Sequence, residues 1–101
     1  MVRKIRWSSI AYRDFTATLK YYRERNKSSA YSRKLVKSID QIINLLAENP
    51  KLGRQTSDPR IRVYIIGHYK IFYEAEIEVL LIQMFWDTRR NPDELKEYLN
   101  Q

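Results

Sequence analysis

The sequence predicts an α+β fold in which a helical hairpin packs on a small, mostly antiparallel sheet. Two stretches with helical apolar spacing follow each other closely in the first half of the chain. Strand-like runs separated by short turns fill most of the second half, and one of these runs is almost wholly apolar. The expected element order is β-α-α-β-β-β-α, in one domain over residues 1–101.

The first strand and first helix lie in residues 2–25. The segment "VRKIRW" alternates and carries several cations, which is typical of a short edge strand. Ser8 or Ser9 is placed to cap the helix that follows. Its apolar face consists of Ala11, Phe15, Leu19 and Tyr22.

The second helix has the wider apolar stripe. Ser28 or Ser29 can cap it, and Asn49-Pro50 ends it, because proline cannot continue the hydrogen-bond ladder. The main stripe consists of Leu35, Ile39, Ile42 and Leu46, widened by Val36 and Ile43. Two helices joined this closely are expected to form an antiparallel hairpin.

The second half of the chain reads as strands. "KLGRQTSDPR" is predicted to be a polar loop, and "IRVYII" and "GHYKIFYEAE" are predicted strands. Gly67-His68 between them fits a two-residue hairpin turn with glycine at the first central position. "VLLIQMFW" is broken only by Gln83, which predicts a central strand covered on both faces.

A final helix is predicted from Asn91 onward. Asn91 is a candidate N-cap, Pro92 suits the first helical position, and Glu94 lies three residues after the cap. Leu95, Tyr98 and Leu99 would form a short apolar face.

The composition excludes several kinds of chemistry. Without cysteine there are no disulfides and no thiol chemistry, and a single histidine provides no His pair for a metal. Phosphate-loop, HExxH and nucleophile-elbow motifs are absent from the sequence, so we expect no cofactor. The acidic residues Glu74, Glu76 and Glu78 are better interpreted as a solvated turn than as a metal site. The chain lacks an apolar signal region or a membrane span, and we expect a cytoplasmic protein.

Positive charge is concentrated in the first half of the chain. The net charge is +7, and residues 1–50 carry eleven Lys or Arg against four Asp or Glu. Seven of these cations surround the predicted helical hairpin: Lys20, Arg23, Arg25, Lys27, Arg33, Lys34 and Lys37. They form either a solvated face or a binding site for an acidic partner.

Two pairs of arginines are candidate anion sites. Arg60 and Arg62 flank Ile61 at a strand start, where strand geometry would place both on one face as a phosphate or carboxylate clamp. The alternative is a charged strand end in which an arginine pairs with Asp58.

Arg89 and Arg90 lie where the apolar strand ends and the last helix begins, near the positive end of its dipole. One of them is expected to pair with Asp87, Asp93 or Glu94, and the other to be available for an anion. His68 could act as a general base, although an exposed turn residue is the simpler interpretation.

Four segments together resemble the RelE/ParE superfamily of toxins from bacterial type II toxin–antitoxin systems. They are Trp7 with Ala11 and Asp14, "NPKLG", "IRVYIIGHYKIFY" and "VLLIQMFWDTRRNP". The resemblance implies a β-α-α-β-β-β core and an acidic antitoxin that wraps the toxin. It also implies promoter DNA binding through the antitoxin. The basic residues Lys20, Arg23, Arg33, Lys34 and Lys37 are the expected antitoxin-binding set.

The superfamily contains both ribonucleases and gyrase inhibitors. RelE-like members cut mRNA in the ribosome with basic residues on the sheet, whereas ParE-like members inhibit DNA gyrase. By this resemblance Arg89 matches a ribonuclease position and Lys70 matches another, while Ile65 replaces a common arginine. Leu95 stands where a catalytic tyrosine is common, and Arg62 matches the ParE-like pattern.

The resemblance therefore favours a ParE-like toxin that inhibits gyrase by binding. The alternative is a metal-independent mRNA endoribonuclease that holds the scissile phosphate with Arg89, Arg62, Lys70 and His68. A second alternative is an inactive homologue that serves only as antitoxin partner and co-repressor. The resemblance places Arg89 at the family's functional position, which leaves Arg90 as the expected salt-bridge partner.

Overall fold

The computed structural model describes residues 2–89, with two helices on one face of a five-stranded sheet. The helices are α1 (Ser9–Asn26) and α2 (Ala30–Glu48). The strands are β1 (Lys4–Trp7), β2 (Arg54–Gln55), β3 (Arg62–Ile66), β4 (Tyr69–Ala75) and β5 (Val79–Asp87). The predicted last helix, with Arg90, Leu95 and Tyr98, lies outside the described residues.

The strand order is β1-β5-β4-β3-β2. Only β1 and β5 pair in parallel, and the other neighbours are antiparallel, which confirms the predicted mostly antiparallel sheet. β1 lies at an edge and β5 in the interior, as expected. The burial of β5 is less even than predicted, because Leu80 and Phe85 under the helices are buried whereas Leu81 and Met84 are half-buried.

Local signals decide where the helices begin. Of the two candidate serines, Ser8 caps α1, since its Oγ accepts a hydrogen bond from the Ala11 N–H at 3.0 Å. The Ser8 hydroxyl also donates to the Gln83 carbonyl at 2.8 Å and thereby ties the helix start to β5. At α2, Ser29 occupies the N-cap position, while the Ser28 Oγ accepts from the Ala30 N–H at 3.2 Å.

The core lies between the helix pair and the sheet. Phe15 stacks on Trp7 with ring centroids 5.0 Å apart and meets Phe85 edge-on at 5.1 Å. The predicted stripe of α2 is correct in its main positions, but Ile43 is fully in the core while Val36 is 42% exposed. The buried face of α2 therefore includes Ile43 and excludes Val36.

The segment predicted as a polar loop contains structure. A 3₁₀ turn over Pro50–Leu52 precedes β2, and the Tyr73 hydroxyl organises it. This hydroxyl accepts from the Gly53 N–H at 2.8 Å and donates to the Pro50 carbonyl. A Cβ at Gly53 would overlap the Tyr73 ring, so only glycine fits there without a shift.

The β3–β4 hairpin has the predicted turn. The positive φ, 58°, falls on Gly67, which is the first of the two residues between the strands. Within residues 2–89, neither helix is long and apolar enough to cross a membrane.

Candidate functional site

Asp87 fixes the position of Arg89 at the end of β5. The Arg89 backbone N–H donates to Asp87 Oδ1 at 2.9 Å. The guanidinium Nε and Nη2 donate to Oδ1 and Oδ2 at 2.9 and 2.8 Å, which is a bidentate pair. The Asp87 side chain is 11% exposed and that of Arg89 is 39% exposed. The hydrogen bonds to Asp87 raise the pKa of Arg89, so its charge is permanent.

Two tyrosines contact the Arg89 guanidinium, a third contacts both of them, and together they connect both helices to the sheet. Arg89 Nη2 donates to Tyr69 Oη at 3.1 Å, and Tyr69 Oη lies 2.7 Å from Tyr31 Oη. The Arg89 Cζ is 4.9 Å from the centroid of the Tyr22 ring, in cation–π range. Burial, followed by the hydrogen bond with Tyr31, raises the pKa of Tyr69 and keeps its phenol neutral. We call Asp87, Arg89, Tyr22, Tyr31 and Tyr69 the Arg89 cluster.

A cleft of about 480 Å³ lies beside this cluster, on the flank of α1 that faces the end of β5. Its lining consists of Ala17, Thr18, Tyr21, Tyr22, Arg25, Asp87 and Arg89. Tyr21 is 57% exposed and meets Tyr22 edge-on at 5.0 Å. An open aromatic ring with two guanidiniums suits a planar or anionic group on a partner.

Arg89 keeps part of its donor capacity. Its hydrogen bonds to Asp87 and Tyr69 use Nε and Nη2, and Nη1 donates none within residues 2–89. The cluster therefore fixes the orientation of the guanidinium through Nε and Nη2. Asp87 offsets the charge of Arg89, and Arg25 is the second guanidinium that lines the cleft.

Of the four residues of the hypothetical ribonuclease site, Arg62 lies away from Arg89 along the sheet, and Lys70 lies on the opposite face. Arg62 pairs with Tyr73 in the sheet register, whereas Arg89 contacts Tyr69 at the other end of β4. Arg62 Nη1 donates to the Gly53 carbonyl at 2.7 Å, so it holds the connection before β2. Lys70 neighbours Tyr69 in β4 and therefore faces away from the helices.

His68 is exposed in the hairpin turn, as the simpler interpretation expected. Its carbonyl accepts from the Thr88 N–H at 2.7 Å, which brings its backbone close to the start of the Arg89 segment.

Arg60 does not form the predicted clamp with Arg62. Arg60 lies in the turn before β3, so strand alternation does not align the two side chains. It pairs instead with Asp58 through Nη2 and Oδ2 at 3.1 Å, which is the alternative that the sequence left open. Both arginines border a small cleft of about 230 Å³ that also includes Glu74.

Arg89, which the sequence analysis assigned as the arginine available for an anion, pairs with Asp87. Arg90 lies outside the described residues. Arg89 nevertheless remains at the site, since the pair orients its guanidinium toward the cleft.

Sequence reasoning missed the tyrosines as a group. Tyr22, Tyr31 and Tyr69 come from three elements, and only the folded topology brings them within contact of one another. One local signal was available: Asp58-Pro59-Arg60 and Asp87-Thr88-Arg89 share the Asp-x-Arg spacing and form the same hydrogen-bond pattern. That spacing predicts a self-paired arginine.

The basic residues of the hairpin remain open to a partner. Lys20, Arg23, Arg33, Lys34 and Lys37 are all exposed, as expected of a binding surface or a solvated face. Within residues 2–89, no cluster of three or more histidine or acidic side chains could hold a metal ion.

Comparison with known proteins identifies the family. The family model for the ParE toxin of the type II toxin–antitoxin system parDE matches residues 5–92. A solved structure described as the chromosomal ParDE toxin–antitoxin system from P. aeruginosa has a TM-score of 0.73 and 15% sequence identity. The alignment covers 87% of this chain and 98% of that one, and at this identity it shows the fold alone. A search of curated proteins found no match. The predicted superfamily and fold are confirmed, and the chain belongs to the ParE toxin family of type II toxin–antitoxin systems.

Proposed function

We propose that the protein inhibits bacterial growth by binding DNA gyrase and does not cut mRNA. Membership of the ParE toxin family supports the toxin role. The observation that carries the choice of mechanism is that Arg62 lies far from Arg89 along β4, while Lys70 lies on the opposite face of the sheet. The site of action is the cytoplasm, where gyrase is found. The cognate antitoxin is an acidic protein that neutralises the toxin and brings the pair to promoter DNA.

The separation matters because RNA cleavage needs several charged groups around one phosphate. Electrostatic stabilisation of a transition state depends on donors held within hydrogen-bond distance of the developing charge. Tyr73, the register partner of Arg62, is four residues along β4 from Tyr69, or about 13 Å. Lys70 adds nothing at Arg89, since it lies on the other face of the sheet.

The Arg89 cluster is better suited to binding a protein. Tyrosine and arginine are the residue types most enriched at the energetic centres of protein interfaces. Here an exposed Tyr21 and a pre-oriented Arg89 border the same cleft, so little side-chain entropy would be lost on binding. We assign this cleft to the gyrase contact.

A second candidate function is the metal-independent mRNA endoribonuclease. The contact that favours it is the hydrogen bond between Thr88 and the His68 carbonyl, which brings one candidate base near Arg89. A third possibility is an inactive homologue that acts only with the antitoxin. It would affect neither gyrase nor mRNA.

Substitutions at Lys70 and His68 separate these functions. The double variant Lys70→Ala/His68→Ala is expected to inhibit growth as strongly as the wild type, because neither residue borders the cleft. Primer extension on abundant mRNAs in the same cells is expected to show no codon-phased cuts. Loss of growth inhibition in a folded double variant, together with such cuts by the wild type, would establish the ribonuclease instead.

A further inference from the structure

The face of the sheet opposite the helices carries apolar residues of its own. Along β4, Tyr69, Ile71 and Tyr73 pack in the core under the helices. Lys70 and Phe72 alternate with them and therefore point to the opposite face, which we call the outer face. A sheet whose two faces both carry apolar side chains needs a second layer to cover the outer one.

Strand pairing arranges outer-face residues of β5, β4 and β3 in two adjacent rows. In that strand order the rows are Trp86, Lys70 and Ile65, and then Met84, Phe72 and Val63. We call these six residues the outer patch. Neighbouring strands are about 4.8 Å apart, so each row spans about 10 Å, and the rows are about 7 Å apart.

Burial within the outer patch falls from β5 toward β3. Trp86 is 2% exposed although both helices lie on the other face, whereas Ile65 in the same row is 47% exposed. Lys70 and Met84 border Trp86 within the sheet and are themselves half-buried. Neighbours in the same sheet shield the edges of an indole ring and leave its outward side open, so a cover lies over the β5 end of the patch.

The chain continues from this same end of the patch. Residues 90–101 follow Arg89, and Asn91 is five residues after Trp86. The sequence predicts a helix from Asn91 onward, and the residues of its apolar face are Leu95, Tyr98 and Leu99. Ten helical residues are about 15 Å long, which is enough to cross three neighbouring strands.

We propose that residues 90–101 form an amphipathic helix that crosses the outer patch from β5 toward β3, with its apolar face on Trp86 and Phe72. Attachment at the end of β5 keeps the segment at high local concentration beside the patch. Charge assists, because the segment carries three carboxylates against two cations and Lys70 is the cation of the patch.

This arrangement is independent of the target of the toxin. It covers Lys70 and closes the outer face to both gyrase and RNA. It also makes Arg89 the point at which the chain passes from the helix-covered face of the sheet to the outer face.

The size of the outer patch favours a single helix over a second copy of the chain. The two rows extend over about 10 Å by 7 Å, whereas a stable protein dimer buries about 800 Å² on each partner. A short helix of about 15 Å matches the smaller dimension of such a surface.

The fluorescence of Trp86 measures whether the patch is covered. Trp7→Phe leaves Trp86 as the single tryptophan, since the chain has two. In that background Leu95→Asp/Leu99→Asp places two carboxylates on the predicted apolar face. The emission is expected to move to the red, and quenching by acrylamide to rise at least about twofold, because water reaches the indole ring.

The matched control is Lys96→Gln/Asn100→Asp in the same background. It changes the net charge by the same amount but lies off the predicted apolar face, and it is expected to leave emission and quenching unchanged. Circular dichroism and urea unfolding establish that both variants are folded. Equal quenching in the two folded variants overturns the proposal.

A pair of introduced cysteines tests proximity without disturbing the apolar contact, since the chain has no cysteine of its own. In Ile65→Cys/Leu99→Cys a short bismaleimide is expected to join the two positions within one chain. The control is Val36→Cys/Leu99→Cys, because Val36 is similarly exposed, at 42%, but lies on the helix layer. The control is expected to remain unlinked.

The cross-linked products decide between the occupants of the patch. A link within one chain for the Ile65 pair alone, seen by mass spectrometry, supports the proposal. Links between two chains would identify a second copy as the occupant, and equal linking of the two pairs would mean that the segment has no fixed position. Either of these results overturns the proposal.

Discussion

Two Asp–Arg ion pairs with the same local geometry differ in burial, and burial determines how much each contributes to stability. Asp58–Arg60 and Asp87–Arg89 have the same spacing, and in both the arginine N–H donates to the aspartate Oδ1 at 2.9 Å. The first pair is open to solvent, with side chains 74% and 39% exposed, whereas Asp87 is 11% exposed. The Asp-x-Arg spacing is common to both pairs and does not distinguish them, because neighbours from distant elements cover only the second.

The substitution Arg89→Ala is therefore expected to destabilise the protein more than Arg60→Ala. It leaves the shielded Asp87 carboxylate and the Tyr69 hydroxyl without their arginine donor. With allowance for solvent screening at the arginine, the expected loss in free energy of unfolding is about 1–2 kcal/mol. Urea denaturation measures it, and Arg60→Ala is expected to leave the midpoint unchanged. Equal midpoint shifts in the two variants would show that burial of Asp87 contributes nothing.

Tyr69 predicts a dependence of stability on alkaline pH. Its folded pKa is raised above the unfolded value of about 10, so the phenol holds its proton longer in the folded state. The stability from the protonated phenol is complete below about pH 10 and is lost as pH rises through the folded pKa. Tyr69→Phe is expected to lose less stability than the wild type between pH 8 and pH 11. Parallel curves for the two proteins, from urea titrations at each pH, would contradict this.

At the scale of elements, local chemistry predicts where most elements begin and end. The serine cap of α1, the proline after α2 and the Gly67-His68 turn all act within a few residues. β2 and the 3₁₀ turn could not be predicted, because Tyr73, twenty residues beyond Gly53 in sequence, organises them. Val36 lies on the predicted apolar stripe but is exposed, because the apolar period of a helix does not show how far the neighbouring elements cover it.

The Gly53–Tyr73 contact predicts a non-additive pair of substitutions. Gly53→Ala is expected to destabilise the protein by about 1–3 kcal/mol, because the added methyl group overlaps the Tyr73 ring. Tyr73→Phe removes the hydroxyl that lies nearest to the new methyl group. The double variant should therefore lose less stability than the sum of the single variants. Strict additivity in thermal or urea unfolding would indicate that the overlap is relieved elsewhere.

At the scale of the whole molecule, α1 borders clefts on more than one side. One cleft lies beside Arg89 at the end of β5, and another is lined by α1 residues that include Arg13, Lys20 and Arg23. Ala17 borders both clefts. Charge alone predicted the basic hairpin surface. The Arg89 cleft forms where α1 packs beside the end of β5, and local residue patterns do not specify this contact between segments distant in sequence.

The most direct measurement of the central claim is supercoiling by purified DNA gyrase during titration with purified toxin. The expected result is inhibition at increasing toxin, relief by the antitoxin, and a weaker effect for Tyr21→Ala, which opens the wall of the Arg89 cleft. The matched control Tyr12→Ala, on the same helix with 58% exposure and away from the cleft, is expected to inhibit as the wild type does. Gyrase activity that is unchanged by the wild-type toxin, while the same preparation cuts ribosome-bound mRNA in phase with codons, would contradict the account.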